Sequence, residues 1–358
     1  MSIGSRVEWT RTYLEDGTYI QGATWSPVTG CTKKSSGCKN CYAEHEVETR
    51  WSKNPRSVFF GRAFTDIRCH PEQLGQILRW KKGRRIFVCP RADLFHDDVP
   101  FEFIAAVFGA MAIASQHTFL ITTKRPERML SFFEWLDHEA SRVPTSSGAA
   151  SLCILQLLKT GVDLPRSAGS AKSADIAWPL RNVQLGVSVE DQPAADERIP
   201  LLLKTPAVIR WLSLEPLLGS VDLELLDCMG GPYRAIDWVV VGGESGENAR
   251  PMHPEWAREI QEQCHYAKVP FFFKQWGTWL PISEMPDAGE SLYEPAPARD
   301  PHAARHCRVA TRAIAYDGGD HWRQTGLVPS FLTFKVGKRA AGHLLDGKVY
   351  REFPGVPS

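Results

Sequence analysis

Seven short runs of apolar and β-branched residues recur along the chain, and most of them are continuous instead of alternating. They lie at residues 23–30, 85–90, 118–123, 183–189, 207–214, 237–243 and 269–275. Continuous apolar runs of this length are typical of strands that are buried on both faces of a sheet. The pattern therefore predicts seven buried strands.

Segments with helical periodicity lie between several of these runs. Apolar residues recur at intervals of three and four over residues 71–81, 101–115, 125–136 and 253–267. Alternation of strands and helices favours an α/β fold with a parallel sheet. Seven such strands fit a partial or complete parallel (β/α) barrel better than a small doubly wound sheet, which stays open as an alternative from the pattern alone.

Two stretches interrupt this rhythm. Residues 137–181 are rich in Ser, Ala and Gly, and residues 281–330 are rich in Pro, Asp and Ala. We therefore predict a barrel over residues 1–280 with an insertion at about 137–181. An irregular C-terminal extension, residues 281–358, is predicted to pack on this barrel.

Composition excludes several classes of protein. The formal net charge is +1 over 358 residues, which argues against a strongly basic nucleic-acid scaffold. No uninterrupted apolar stretch is long enough for a membrane span, and the first residues lack the apolar core of a signal peptide. We therefore expect a cytoplasmic protein without a membrane partner. Nine cysteines, an odd number in a long chain, do not indicate a disulfide framework.

Three of the cysteines are concentrated in the segment GCTKKSSGCKNCYAEHE, where Cys31, Cys38 and Cys41 have the spacing C-x6-C-x2-C. The segment begins where the first predicted strand ends, which is the edge at which barrel enzymes place their chemistry. Three thiolates are one fewer than the four that usually hold an iron–sulfur cluster. A [4Fe–4S] cluster on these three would keep one iron open for another ligand.

The same cysteines also fit two other interpretations. A zinc ion could be held by Cys31, Cys38 and Cys41 with His45 or His70 as the fourth ligand. Zinc loops usually contain two C-x2-C pairs, however, and this segment has one. Three free thiols are the remaining interpretation, which such clustering disfavours.

Polar or small residues follow the predicted strands, at the positions that form the mouth of a barrel. Each of them alone is more typical of a helix cap or a surface ion pair, and their coincidence over several strands is what favours a binding site. Lys274 is the most suggestive, because it ends an otherwise apolar run in which an unpaired charge would be costly. The set is Asp93, Lys124, Ser188, Glu190, Glu215, Gly242, Gly243, Glu244 and Lys274.

Several sequence blocks carry a family resemblance. In order they are TWSPVTGC, GCKNCYAE, DLFHDDVP, TKRPERM, LGVSVEDQ, LSLEPLLG, DWVVVGGESG, ARPMHPEW and PFFFKQWG, over roughly residues 23–280, with the tail block VGKRAAGHLLDG. They resemble the family of phage proteins known as gene product 37 / gene product 68, which has features of radical S-adenosylmethionine (SAM) enzymes. The segment CKNCY is also similar to the spore photoproduct lyase branch of those enzymes.

The resemblance implies a barrel of the radical SAM type with a [4Fe–4S] cluster on Cys31, Cys38 and Cys41. SAM would bind the open iron, and a reductant such as flavodoxin or ferredoxin would supply the electron that cleaves it. A nucleic acid or nucleobase is the first candidate substrate, because the lyase branch repairs DNA and the family is associated with phages.

The resemblance also implies roles for the residues at the mouth. Carboxylates such as Asp93 or Glu215 would pair with the SAM ammonium or ribose hydroxyls, and Lys124 or Arg125 with its carboxylate. The backbone of Gly242 and Gly243 would approach the ribose or adenine closely. Ser188, Glu190 and Glu244 complete the expected cofactor-binding set, and Lys274 and Glu215 are the candidate catalytic residues.

The sequence departs from the common radical SAM pattern in three places. The first gap between cysteines is six residues instead of three, and Asn40 stands before the last cysteine where an aromatic residue is common. The segment Gly242–Gly243–Glu244 lies near the sixth strand instead of the second. Two rival functions follow. One is a metal-stabilised module that binds nucleic acid or protein without redox catalysis. The other is a hydrolase or transferase that depends on Asp93, Glu190 and Glu215.

Overall fold

The computed structural model describes residues 2–5, 7–14, 18–142, 148–164, 176–224, 236–287, 292, 309–317 and 330–355. The strands are β1 (Ser2–Ile3), β2 (Thr12–Tyr13), β3 (Tyr19–Ile20), β4 (Ala23–Trp25), β5 (Val28–Thr29), β6 (Arg68–Cys69), β7 (Arg85–Val88), β8 (Thr118–Thr123), β9 (Val183–Ser188), β10 (Ile209–Leu214), β11 (Trp238–Gly242), β12 (Phe271–Gln275), β13 (Trp279–Pro281), β14 (Thr311–Ala315) and β15 (Ser330–Lys335). The α-helices are α1 (Tyr42–Glu46), α2 (Phe101–Ile113), α3 (Pro126–Ser141), α4 (Gly148–Lys159), α5 (Gln192–Lys204), α6 (Pro254–Ala267) and α7 (Lys338–Ala341). Short 3₁₀ segments span Glu8–Thr10, Ser36–Cys38, Pro71–Arg79 and Ile282–Glu284, and a π-helical turn spans Val47–Trp51.

The central sheet has the order β1-β4-β7-β8-β9-β10-β11-β12. Its strands from β4 to β12 are parallel and follow one another in chain order, and β1 is antiparallel at one edge. All seven predicted apolar runs therefore supply strands of one parallel sheet, and the predicted α/β class is confirmed. A doubly wound sheet would reverse its strand order in the middle, and this sheet does not.

The first predicted run is shorter as a strand than its pattern suggests. Residues 23–30 divide into β4 and β5, and β5 pairs with β6 outside the central sheet. The break lies at Pro27, which has no amide hydrogen to donate to a neighbouring strand.

The parallel sheet is curled into a partial barrel around Trp9. The Trp9 ring lies 4.7 Å from that of Phe87 on β7, 5.3 Å from Trp211 on β10 and 6.2 Å from Trp238 on β11, measured between ring centroids. In a flat sheet, β7 and β11 would be about 19 Å apart, because neighbouring strands are about 4.8 Å apart. One side chain therefore reaches both strands only because the sheet curls around it.

The inner face of this curl changes from apolar to polar along the strands. Side chains two residues apart in a strand share a face. On β8, Leu120 packs with Trp9 in the aromatic base, and the next inward position is Thr122. On β10, Trp211 is followed in the same way by Ser213. The aromatic half fills the amino-terminal end of the partial barrel, so the polar half lines its carboxyl-terminal end, which we call the mouth.

The helices on the outer side include one that lies inside the predicted insertion. Helix α4 packs against α2, and a Cβ atom at Gly109 of α2 would overlap the carbonyl oxygen of Cys153 on α4. The glycine therefore permits a close helix–helix approach, and α2 is buried between α4 and the sheet, as its apolar sequence requires. Residues 143–147 and 165–175 of the predicted insertion lie outside the described residues.

The C-terminal residues return to the partial barrel. Strands β13, β15 and β14 form an antiparallel sheet in that order, and Arg351 forms an antiparallel bridge with Phe272 of β12. The Phe353 ring packs 5.7 Å from that of Trp238 and so extends the aromatic base. Residues 288–291, 293–308 and 318–329 of the predicted extension lie outside the described residues.

Within the described ranges, no helix combines the length and the apolar composition that crossing a membrane requires.

Candidate functional site

The three clustered cysteines lie together at the mouth of the partial barrel. They belong to the cysteine loop, residues 30–41, which begins directly after β5 and is held by a hydrogen bond from the Cys31 amide to the Phe64 carbonyl (3.0 Å). Cys38 is close enough to Cys31 and to Cys41 to perturb the ionisation of both thiols. The three thiols are therefore neighbours at the mouth, and their joint ligation of a cluster stays a prediction.

The cysteine loop crosses the mouth and is tied to strand ends on both sides. The Ser35 hydroxyl donates a hydrogen bond to Glu190, which follows β9. The Asn40 side-chain amide donates to Glu244, which follows β11, at 3.0 Å. Gly37 lies against the Glu190 side chain, where a Cβ atom would come within 3.0 Å of the carboxyl carbon. The loop is thus held over the polar inner face from two directions.

Glu190 is the most deeply buried carboxylate of the site, with none of its surface exposed. Arg198 of α5 donates to it at 2.8 Å, and the Lys124 ammonium lies 3.9 Å away. Burial alone would raise the pKa of Glu190, but the positive charges of Lys124 and Arg198 outweigh burial and hold that pKa below its ordinary value. Glu190 is therefore an ionised anchor of the cysteine loop.

Glu244 has a similar anchoring role. Its carboxylate pairs with Arg250, whose Nε lies 2.9 Å away, in addition to the contact with Asn40. Burial would raise the pKa of Glu244, and the hydrogen bonds from Arg250 and Asn40 lower it overall. Protein groups thus engage this carboxylate from both sides.

The two glycines before Glu244 allow close packing. A Cβ atom at Gly243 would overlap the Trp276 carbonyl oxygen, so only glycine fits there. A Cβ atom at Gly242 would lie 3.3 Å from the Glu215 carboxyl carbon, on the inner face. The sequence analysis expects the Gly243 backbone to lie close to a ribose or adenine. In the structure, Gly243 instead packs closely against the backbone of Trp276.

Asp93 holds the end of β8 next to the cysteine loop. Its buried carboxylate accepts hydrogen bonds from the Thr123 hydroxyl (2.7 Å), the Lys124 amide (3.2 Å) and the Arg125 guanidinium (3.3 Å). These donors surround Asp93 with protein groups. Asp93 is therefore placed to orient Arg125.

Arg125 contacts the cysteine loop directly, which the sequence did not predict. Its Nη1 donates to the Cys31 sulfur at 3.7 Å, and its Nη2 donates to the carbonyl oxygen (3.1 Å) and the hydroxyl (2.8 Å) of Thr32. The sequence analysis assigned Arg125 to the SAM carboxylate as an alternative to Lys124. In the structure its guanidinium points toward a thiol. The only feature of the sequence that could have indicated this contact is the position of Arg125 after the third strand.

The opposite side of the mouth contains a lysine–glutamate pair. The Lys274 ammonium donates to both oxygens of Glu215, at 2.7 and 2.6 Å, and Gln275 Nε2 donates to the same carboxylate at 3.1 Å. Burial would raise the pKa of Glu215, but Lys274 and Lys338 together hold it below its ordinary value. Both side chains stay partly exposed, at 17% and 23%. The charge that ends the apolar run of β12 is therefore paired, yet solvent reaches it.

The predicted residues thus divide into two groups. Asp93, Glu190 and Glu244 are surrounded by protein partners and hold the cysteine loop in place. The residues that reach the inner face are Lys124, Ser188, Glu215, Gly242 and Lys274. The Ser188 hydroxyl lies 3.4 Å from that of Thr122, and Lys124 is near enough to Cys41 to favour its thiolate. The second group is the one available to a ligand.

One of the two histidines named as possible zinc ligands is engaged elsewhere. His70 is already occupied, with Nε2 2.8 Å from the Thr29 hydroxyl and Nδ1 3.0 Å from Glu72. Among the residues that the structure describes, no three His, Cys, Asp or Glu side chains converge as ligands of one metal ion. Thiolates are ligands of iron–sulfur clusters as well as of zinc, so the type of donor alone is compatible with either centre.

Burial disfavours the ionised form of two of the three thiols. It raises the pKa of Cys31 to about 12, with a contribution from Asp93 that Arg125 opposes, and it also raises the pKa of Cys41. Metal ligation by a thiol releases its proton. Cys89 also lies near Cys31, but it is part of the hydrophobic core.

Comparison with known proteins gives one family match. Residues 5–354 match the family described as "Protein of unknown function (DUF5131)". The curated proteins contain no match to the chain, and neither do the solved structures.

Proposed function

The chain belongs to the DUF5131 family, and we propose that it is a radical SAM enzyme. The observation that carries this proposal is the position of three neighbouring thiols on a loop across the carboxyl-terminal mouth of a parallel partial barrel. Cys31, Cys38 and Cys41 would hold a [4Fe–4S] cluster. When bound, such a cluster supplies the electron for reductive cleavage of SAM.

The inner face offers polar groups for SAM beside the proposed cluster. Lys124 lies on this face, where its charge acts on Cys41, and it would pair with the SAM carboxylate. The hydroxyls of Ser188 and Thr122 are adjacent and would donate to the ribose. Each group is held by the strand that carries it, so little conformational freedom is lost on binding.

The base of the partial barrel protects a reactive species from solvent. Trp9, Trp211 and Trp238 fill its lower half and are almost completely buried. A ligand on the polar half therefore rests on an apolar floor, with the cysteine loop above it. Exclusion of water and of unwanted hydrogen donors is what radical chemistry requires of a protein.

The proposed partners follow from this chemistry. The enzyme would take its electron from a reductant such as flavodoxin or ferredoxin. A nucleic acid or nucleobase remains the first candidate substrate.

The test is anaerobic purification followed by iron and sulfide analysis, an absorption spectrum and an assay for SAM cleavage with dithionite. We expect about four irons per chain and release of 5′-deoxyadenosine. One zinc per chain, no colour and no SAM cleavage would contradict the proposal. That result would favour the alternative, a metal-stabilised binding module without redox catalysis.

The contact between Arg125 and Cys31 gives a prediction about the cluster's reduction potential. A cationic donor to a ligand sulfur stabilises the reduced, more negative cluster. We expect Arg125→Gln to lower the midpoint potential and Arg125→Lys, which keeps the charge, to shift it less. A redox titration followed by electron paramagnetic resonance measures this, with Arg128→Gln as the control on the next helix. Equal potentials in Arg125→Gln and the wild type would show that the contact has no electronic role.

A further inference from the structure

The C-terminal tail block brings a lysine to the mouth. Helix α7 begins at Lys338 and is held at the end of β12 by hydrogen bonds from the Trp276 amide to Gly342 (3.3 Å) and from the Trp276 indole to Leu344 (2.7 Å). The Gly337 amide donates to the Thr278 carbonyl at 3.0 Å. The segment is therefore fixed on both sides of the short helix, and the position of Lys338 is set by the fold.

Lys338 adds a second positive charge to the pair of Lys274 and Glu215. The pKa of Lys338 is lowered by surrounding protein and by the like charge of Lys274, while Glu215 opposes this shift. Both Glu215 oxygens already accept from Lys274, and no carboxylate in the described part of the chain forms an ion pair with Lys338. Glu8 also opposes the shift, but its carboxylate already pairs with Arg351 at 2.9 Å. Two ammonium groups therefore share Glu215, and this side of the mouth has excess positive charge.

The same place is reached by solvent and borders the cysteines. Lys338 is exposed, and Lys274 is partly exposed. Glu244, which follows the neighbouring strand β11, accepts a hydrogen bond from Asn40 of the cysteine loop at 3.0 Å. Strands β11 and β12 are adjacent in the sheet, so the lysine pair and the cysteine loop lie at the same mouth.

We propose that Lys338 and Lys274 form a subsite for a phosphate group of the substrate, which makes the substrate a phosphate ester such as a nucleotide. This inference rests on the proposed radical SAM function and assigns a substrate class to it. A phosphate monoester carries a charge of about −1.5 to −2 at neutral pH. This charge complements two lysines better than the single negative charge of a carboxylate ligand would. Lysine binds phosphate as a point charge, and Glu215 keeps Lys274 in position for it.

The test measures binding by calorimetry to the anaerobically purified holoprotein. The probes are a nucleoside 5′-monophosphate, inorganic phosphate and acetate, and the variants are Lys338→Gln and the control Arg339→Gln. Arg339 is the neighbouring exposed cation on α7, so its removal changes the net charge equally. We expect Lys338→Gln to weaken nucleotide binding by roughly tenfold or more, as for loss of a charge-assisted contact, and Arg339→Gln to change it less than twofold.

The outcomes separate this inference from the proposed function. Equal binding losses in both variants would overturn the subsite, because they would reflect net charge alone. Acetate binding as tightly as phosphate would overturn the assignment of a phosphate ester. Nucleotide binding that depends on Lys338 in a protein without iron would keep the subsite and reject radical SAM chemistry. The iron content of Lys338→Gln should equal that of the wild type, since Lys338 contacts no cysteine.

Discussion

Replacement of Cys41 by alanine is expected to abolish iron binding and SAM cleavage together. Cys41 supplies one of only three thiols on the cysteine loop, and two thiolates are too few to retain a four-iron cluster. Iron and sulfide analysis of the anaerobically purified variant, with an assay for 5′-deoxyadenosine, measures both losses. We expect background values in each.

The matched control for this loss is Cys264→Ala. Cys264 lies in α6 and is completely buried in the core, away from the mouth. Its replacement removes one thiol and leaves the cysteine loop intact, so the iron content should stay at the wild-type value. If Cys41→Ala retained full iron and full SAM cleavage, the cluster assignment to this loop would be wrong.

Replacement of Glu190 by glutamine is expected to reduce the free energy of unfolding by about 3–5 kcal/mol, as for a buried ion pair that loses one partner. The Arg198 side chain would stay buried, with 2% exposure, and would face a neutral amide. The anchor of Ser35 would weaken as well. Denaturant unfolding measures the loss, and we also expect the cysteine loop to hold iron less firmly.

Glu197→Gln is the control for this variant. It makes the same chemical change one residue before Arg198, on a side chain that is 44% exposed and lies 3.9 Å from that guanidinium. An exposed pair contributes about 0–1 kcal/mol, so its replacement should have little effect. If the two variants unfolded at the same denaturant concentration, the buried pair would not be a main support of the mouth. If Glu190→Gln did not fold, Glu190→Asp, which keeps the charge, should fold and be destabilised to a smaller extent.

Much of the sheet could be predicted from local pattern, whereas the long helices α4 and α5 could not. All seven parallel strands lie within continuous apolar runs, and the helical periodicity of residues 101–115, 125–136 and 253–267 corresponds to α2, α3 and α6. Helix α4 lies in a stretch whose Ser, Ala and Gly residues resemble a linker, and its burial depends on the close approach to α2 at Gly109. Helix α5 has Pro193 in its first turn and Pro200 in its interior, and it carries few apolar residues on one face, so its pattern was weak.

The candidate site, too, could be predicted from the sequence only in part. The clustering of Cys31, Cys38 and Cys41 is a property of neighbouring positions in the chain, so the sequence alone was enough to propose this loop as the metal site. The polar residues at strand ends could also be named in advance, because parallel strands bring their carboxyl ends to one edge. Their individual roles could not be predicted.

What the sequence by itself determined is therefore the order of the strands, the cysteine loop and the set of polar residues near it. The tertiary structure decided which of those residues meet: Ser35 with Glu190, Arg125 with Cys31, and Lys274 with Glu215, at separations of 155, 94 and 59 residues. Such partnerships depend on the order and the curl of the strands, which set the distance between side chains remote in sequence. For the same reason, the curl of the sheet around Trp9 determines whether a carboxylate is buried as an anchor or faces the inner space.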